Sequence, residues 1–237
     1  MLQTFFKYLK IILFFIILII FILINNLLPD KISWRIVNFL NKFNVKYILG
    51  ISKEIIGDKN LFCKKGVIFI SNHHNATDAI ILNSCIRNNT YTVTKSDLLS
   101  HMGIKNKFIT KLFFKGTKLI SYIRDNMNSG KIVKRKMLDH LLKNNNILVF
   151  PEGTSTRNGY PKEFKNGLFK FSAENNIPIV PITIKYKRQI GIKKGDPFKL
   201  NQILDNEATI YLHNILVSKD WEFLKKKSYD LITRPLK

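Results

Sequence analysis

Hydrophobic and polar positions change period several times along the chain. From Ile11 to Ile24 every residue is aliphatic or aromatic, and the wider stretch Leu2 to Leu28 is interrupted only by Gln3, Thr4, Lys7, Lys10, Asn25 and Asn26. A run this apolar reads as a membrane segment. At about 1.5 Å of rise per residue its uninterrupted part makes roughly 21 Å of helix. That is short of a hydrocarbon core of roughly 30 Å, but Lys7 and Lys10 can snorkel and lengthen it, so spanning and half-insertion both remain open. Asn25-Asn26-Leu27-Leu28-Pro29-Asp30 offers no small-residue cleavage site, so the expectation is a retained anchor, not a signal peptide.

The next segment, Trp34 to Phe43, puts Ile36, Phe39, Leu40 and Phe43 on one face at helical spacing. It predicts a second helix, lying either on a membrane surface or over the core. Beyond about residue 60, short apolar runs alternate with longer periodic ones. Strands are expected at Val67–Ile70, Tyr91–Thr94, Leu119–Ile123, Ile147–Phe150, Ile179–Ile184 and Ile210–His213. Helices are expected at Ala79–Ile86, Ile132–Lys143, Gly167–Asn175 and Asp220–Pro235. This alternation predicts an α/β fold, a mixed and largely parallel sheet flanked by helices, with an N-terminal membrane-anchoring helical segment. The division expected is residues 1–50 for the membrane and amphipathic helices and 51–237 for the α/β domain, since no repeat or Gly/Ser linker interrupts the latter.

Charge narrows the partners. Lys and Arg number 39 against 16 Asp and Glu, a formal net charge of +23, which calls for an anionic partner such as a phospholipid surface, a phosphorylated substrate or nucleic acid. Between Gly103 and Met137 ten basic residues and one acid, Asp125, are interleaved with Phe108, Phe113, Phe114 and Tyr122, a mixture suited to lipid headgroups and chains. A solvated basic surface explains part of the same excess. The charge C-terminal to the apolar run begins with Lys31, Arg35, Lys42 and Lys46, which argues for that side being the cytoplasmic face of the cell (inner) membrane. Cys63 and Cys85 have no zinc-site or CxxC spacing, consistent with a reducing compartment.

Two polar strings follow buried strands directly. Ser71-Asn72-His73-His74-Asn75-Ala76-Thr77-Asp78 stands at the carboxyl end of one strand, where α/β folds place their sites. If Asp78 lies in the first turn of the following helix, its carboxylate can fold back to His73. It would then fix the tautomer and stabilise the imidazolium formed when His73 takes a proton from a hydroxyl. Two other readings stay open: Asn75 as a helix N-cap with Asp78 favoured by the helix dipole, and a metal site of His73, His74 and Asp78, against which neighbouring histidines on a turn point apart. The second string, Phe150-Pro151-Glu152-Gly153-Thr154-Ser155-Thr156-Arg157-Asn158-Gly159, holds a carboxylate, glycines, hydroxyls, open N–H groups and an Arg. Those are the parts of a phosphate- and hydroxyl-binding loop, although a plain polar turn has the same composition. It is neither a Walker loop nor a nucleophile elbow.

Together, Asn-His-x-x-x-x-Asp at His73 and Asp78 followed by Phe-Pro-Glu-Gly-Thr resembles the glycerolipid acyltransferase superfamily, most closely the 1-acylglycerol-3-phosphate acyltransferases. Phe164-Lys165-Asn166-Gly167, Ile177-Pro178-Ile179-Val180-Pro181-Ile182 and Lys95-Ser96-Asp97-Leu98 resemble further blocks of that family, and the likeness covers about residues 60–185. The resemblance implies acyl transfer from an acyl thioester, acyl-CoA or acyl-acyl carrier protein, to the sn-2 hydroxyl of lysophosphatidate. It implies His73 as general base oriented by Asp78, with Glu152, Gly153 and Thr154 holding the glycerophosphate and Arg157 its phosphate. Lys95 and Arg124 are further substrate-binding candidates, though Tyr122-Ile123-Arg124-Asp125 carries its Arg one position away from the family's Asp-Arg. No metal or redox cofactor is implied. The partners implied are a lysophospholipid acceptor, an acyl donor and membrane phospholipid. Two alternatives remain: another acceptor, such as a lyso-ornithine lipid, and a non-enzymatic basic protein of membrane surfaces or nucleic acid. The latter accounts for the charge but not for two ordered motifs, and no nucleic-acid module is present.

Overall fold

The computed structural model describes residues 2–96, 106–123, 127–156, 159–188 and 204–237. Seven strands form one sheet: β1 (Ser52–Ile56), β2 (Ile68–Ser71), β3 (Thr90–Lys95), β4 (Leu119–Tyr122), β5 (Asn146–Val149), β6 (Ile179–Tyr186) and β7 (Glu207–Leu212). Their order is β1-β7-β6-β2-β5-β3-β4. From β6 to β4 all neighbours are parallel, and β6 pairs antiparallel with β7, which carries β1 parallel beside it. The expected mixed, largely parallel sheet is therefore present.

Among the described residues the α-helices are α1 (Leu2–Leu27), α2 (Asp30–Phe43), α3 (Thr77–Cys85), α4 (Lys107–Gly116), α5 (Met127–Leu142), α6 (Asn166–Glu174) and α7 (Trp221–Thr233). The central strand β2 is buried throughout and alternates its side chains between two cores. Phe69 joins Ile81 and Leu82 of α3, together with Val45, Ile48 and Leu49 that follow α2. Ile68 and Ile70 meet the opposite layer, built from Val133 and Met137 of α5, Phe169 of α6 and Leu224 and Ile232 of α7. Burying both faces of the inner strands explains why they read as continuous apolar runs.

Two elements escaped sequence reading. The strand β1 exposes alternate residues and carries Ser52, Lys53 and Glu54, so it lacks an apolar run. Helix α4 lies within the basic and aromatic stretch taken above as an interface. The face that α2 turns inward is partly polar. Phe39 is 65% exposed, whereas Ser33 and Asn38 are buried. The reason is a polar one: Asn38 Nδ2 donates to the carbonyls of Asn83 and Ile86, at 2.9 and 2.7 Å, and so satisfies the orphan C-terminal carbonyls of α3.

Helix α1 is continuous and packs against α4. Asn25 Nδ2 donates to the Gly116 carbonyl at 2.7 Å and Asn26 Nδ2 to that of Leu112 at 2.9 Å. A side chain at Gly116 would lie 2.8 Å from the Ile22 carbonyl, so the glycine permits this approach. Ile17 packs on the core, and Leu9, Ile12, Ile16, Ile19 and Leu23 form an exposed apolar stripe. Among the described residues no helix is long and apolar enough to cross a membrane. The α1 side chains of residues 2–8, 11, 14, 15, 18, 21 and 24 lie outside that description.

Candidate active site

The site grows from the carboxyl ends of the adjacent parallel strands β2 and β5. Just past β2, the Asn72 side chain is fully buried and works as a piece of strand. Its Oδ1 accepts the Ile184 N–H, and its Nδ2 donates to the Ile184 and Gly159 carbonyls, each at 2.9 Å. This joins β2 to β6 and to the far end of the loop that follows β5. The chain then turns, and His73 comes to the surface with its side chain 20% exposed.

His73 Nδ1–H donates to Asp78 Oδ2 at 2.9 Å, and the imidazole stacks on Phe150 with ring centroids 4.1 Å apart. Asp78 lies in the first turn of α3 and is fully buried. Its carboxylate also accepts the N–H groups of His74 and Asn75, at 2.6 and 2.9 Å, and the Tyr186 hydroxyl at 2.6 Å. Burial pushes toward the protonated acid. The hydrogen bond from His73, the positive potential of both imidazoles and the Tyr186 hydroxyl outweigh it and hold Asp78 below its ordinary pKa. The helix-start and histidine-partner readings of Asp78 are thus both realised by one carboxylate. The N-cap of α3 is Ala76 and not Asn75, whose Oδ1 accepts the Thr77 N–H at 2.8 Å from one residue further back.

Glu152 is 4% exposed and both of its oxygens are engaged by main chain. Oε1 accepts the His73 N–H at 2.9 Å and Oε2 the Lys162 N–H at 3.0 Å. The His73 carbonyl in turn accepts the Thr156 N–H at 2.8 Å, so the two loops are tied on both sides of the histidine. Burial lifts the Glu152 pKa to about 8, against the pull of the Lys162 and His73 N–H groups. Gly153 adopts φ +66°, a left-handed turn suited to glycine, and Thr154 follows it half-buried.

His74 is not idle. Its Nε2 lies 3.0 Å from the Ile184 carbonyl, and its ring stands edge-on to Tyr186 at 4.9 Å between centroids. Gly159 sits against the imidazole so closely that any side chain there would overlap it. The two histidines therefore turn to different partners, and among the described residues no three His, Cys, Asp or Glu side chains could hold a metal ion. Lys95 ends β3 in register with Tyr122, at the same carboxyl edge of the sheet but beyond β5 from His73. Arg124 and Arg157, with Asp97 and Leu98, lie outside the described residues.

The family model of the acyltransferases matches residues 52–185, more than half of the chain. The chain belongs to the acyltransferase family. It is similar to the 1-acyl-sn-glycerol-3-phosphate acyltransferase of Borreliella burgdorferi, 25% identical over 168 residues that cover 70% of this chain and 62% of that protein. It is also similar to the human 1-acyl-sn-glycerol-3-phosphate acyltransferase alpha, 25% identical over 162 residues, 67% of this chain and 54% of the human one. The chain thus spans about half to three-fifths of the length of these curated relatives. Among solved structures, the 1-acyl-sn-glycerophosphate (LPA) acyltransferase PlsC of Thermotoga maritima shares the fold, with a TM-score of 0.69 and 16% identity over 99% of this chain and 96% of that one.

The family match starts at the first residue of β1 and ends one residue before Tyr186, so it includes both polar loops but not that tyrosine. Tyr186 was missed in the sequence, and Asn72 was read only as part of the Asn-His-x-x-x-x-Asp motif, with no role of its own. The signal for Tyr186 is slight: one phenol closing a mostly buried strand.

Proposed function

We propose that the chain is a 1-acyl-sn-glycerol-3-phosphate acyltransferase, moving an acyl group from a thioester of coenzyme A or acyl carrier protein to the sn-2 hydroxyl of lysophosphatidate. The observation that carries this reading is His73, anchored through Nδ1 to a buried ionised Asp78 and partly exposed. Nε2 is left as the acceptor for a hydroxyl proton. As the hydroxyl oxygen bonds to the thioester carbonyl carbon, its proton passes to Nε2. The tetrahedral adduct then expels the thiolate, which regains the proton from the imidazolium, giving phosphatidate and a thiol with His73 restored. Asp78 holds the tautomer and offsets the charge on the ring while the proton is there. No metal or redox group takes part.

In this reading Arg157 receives the acceptor phosphate, with Lys95 and Arg124 as further cations and Gly153 and Thr154 offering loop groups to the glycerophosphate. Glu152 acts at one remove, since both oxygens already hold main-chain N–H groups. The exposed stripe of α1 and the net charge of +23 support attachment to an anionic bilayer, at the cytoplasmic face of the cell membrane.

The test is acyl transfer by purified protein, with lysophosphatidate or a lyso-ornithine lipid as acceptor and both thioesters as donors. Phosphatidate formed by the wild type and not by His73→Ala is the expected result. Preference for the phosphate-free lyso-ornithine lipid, or equal activity of the His73→Ala protein, would overturn the reading.

A further inference from the structure

The carboxylate of Asp78 divides its work unequally between its oxygens. Oδ2 meets His73 Nδ1 and the N–H groups of His74 and Asn75. Among the described residues the partner of Oδ1 is the phenol of Tyr186, at 2.6 Å. Tyr186 is the last residue of β6, is 6% exposed and comes from a position 108 residues further along the chain. Its ring is fixed by the edge of His74. Burial first, and then the neighbouring Asp78 carboxylate, keep the phenol protonated well above its ordinary range, so it is a permanent donor.

We infer that Tyr186 is a positioning residue for acyl transfer, which sets the basicity of His73 through Asp78 without touching either substrate. This rests on the reading of His73 as the base. Two consequences follow from the geometry. With Oδ1 held by the phenol, the carboxylate cannot turn about its Cβ–Cγ bond, and Oδ2 stays aimed at Nδ1. The same hydrogen bond draws negative charge toward Oδ1 and away from the oxygen facing the imidazole. A carboxylate relieved of that donor would hold the imidazolium more strongly and leave less neutral His73 near pH 7. The other ionisable groups around Asp78 are His73 and His74 on the preceding loop and Glu152 from the loop after β5, whose own titration feels the Asp78 charge.

Steady-state kinetics across pH test the inference. Tyr186→Phe keeps the ring against His74 and removes the hydroxyl, with its hydrogen bonds to Asp78 and Thr77. It is expected to lower kcat about tenfold, the rate equivalent of one modest charge-assisted hydrogen bond. The KM for lysophosphatidate should stay within about twofold, and the acid limb of kcat/KM should move up by about half a pH unit or more. In an Asp78→Asn background the same substitution should cost nothing further, because its route to His73 is gone. Should Tyr186→Phe fail to fold, 3-fluorotyrosine placed at position 186 keeps the ring and strengthens the donor, and the acid limb should then move down. An unchanged kcat and pH profile in folded Tyr186→Phe, or an equal loss in the Asp78→Asn background, would overturn the role of Tyr186 while leaving His73 as the base. Full activity of His73→Ala would instead remove the reading beneath it.

Discussion

Glu152 meets the main chain of His73 and not its ring: Oε1 accepts the His73 N–H at 2.9 Å across 79 residues of sequence. Its other oxygen holds Lys162, so the carboxyl group, kept protonated by burial up to about pH 8, clamps the loops after β2 and β5 together instead of presenting a charge to solvent. Glu152→Gln replaces one acceptor by an N–H donor, leaving one of the two main-chain donors opposed. The expected result is a fall in kcat of about ten- to a hundredfold, with the acceptor KM little changed. Steady-state kinetics decide it. A raised acceptor KM at normal kcat would put the carboxylate in contact with the substrate.

His73→Ala is expected to lose about 10²- to 10⁴-fold in kcat, the usual contribution of a positioned general base, and Asp78→Asn somewhat less. A folded His73→Ala protein with wild-type turnover would refute the mechanism. His74→Ala should act through stability, lowering Tm as the seat of Gly159 and the Tyr186 packing are lost.

The raised pKa of Glu152 makes folding depend on pH. Between its ordinary value of 4.5 and about 8 the unfolded chain has released this proton while the folded chain retains it. Stability from this group is therefore fully present below pH 4.5 and falls as pH rises through about 8, by up to about 1.4 kcal/mol per pH unit. Asp78 has the opposite sign: its contribution is present above 3.8 and lost as pH falls through its lower folded value. Thermal unfolding from pH 5 to 8 should show a steeper decline for the wild type than for Glu152→Gln. Equal slopes would mean that the buried carboxyl titrates near its ordinary value.

Phosphate recognition is expected to rest on Arg157, whose planar guanidinium can donate two hydrogen bonds to one phosphate. Arg157→Ala should raise the KM for lysophosphatidate far more than that for the thioester, with a loss in kcat/KM of about ten- to a hundredfold. Arg157→Lys should recover part of it. If only the thioester KM rose, the two substrates would have to exchange sides.

For membrane attachment, the packing of α1 on the sheet domain makes its deletion a poor test, since removing it also exposes α4 and part of the core. Point charges are cleaner. Ile12→Lys with Ile19→Lys, both on the exposed stripe, should leave Tm unchanged and weaken co-sedimentation with anionic vesicles, most clearly at high salt, where the basic surface no longer compensates. Undiminished binding would move the attachment surface elsewhere.

The pairing of His73 with Asp78 was legible because it is local: five residues, one turn and one helix start suffice to bring the groups together. The buried strands were legible for a similar reason, since burial on both faces leaves apolar runs such as Ile68–Ile70. Contacts made across the sheet left no such trace. Tyr186 reaches Asp78 from β6, and Glu152 reaches His73 through a main-chain group that every non-proline residue possesses. The composition of the Glu-Gly-Thr loop suggested a substrate contact, but the carboxylate is committed to the protein. Which way α2 turns was left open by the sequence, because hydrophobic periodicity carries no information about Asn38 capping another helix. Arg124 and Arg157, legible as cations, lie outside the described residues.

The attachment of α1 has a mechanical meaning. A third of the way along α1 Lys10 reaches Asp205 at 3.5 Å, at its C-terminal end Asn25 and Asn26 grip α4, and Ile17 is seated between them. The outer holds are about 22 Å apart along the helix axis. A helix pinned this way is a mounting bracket and not a leash. A surface met by its apolar stripe would tilt the sheet with it, so in the proposed reaction the direction from which an acceptor meets His73 would be set by the body of the protein before any substrate arrives.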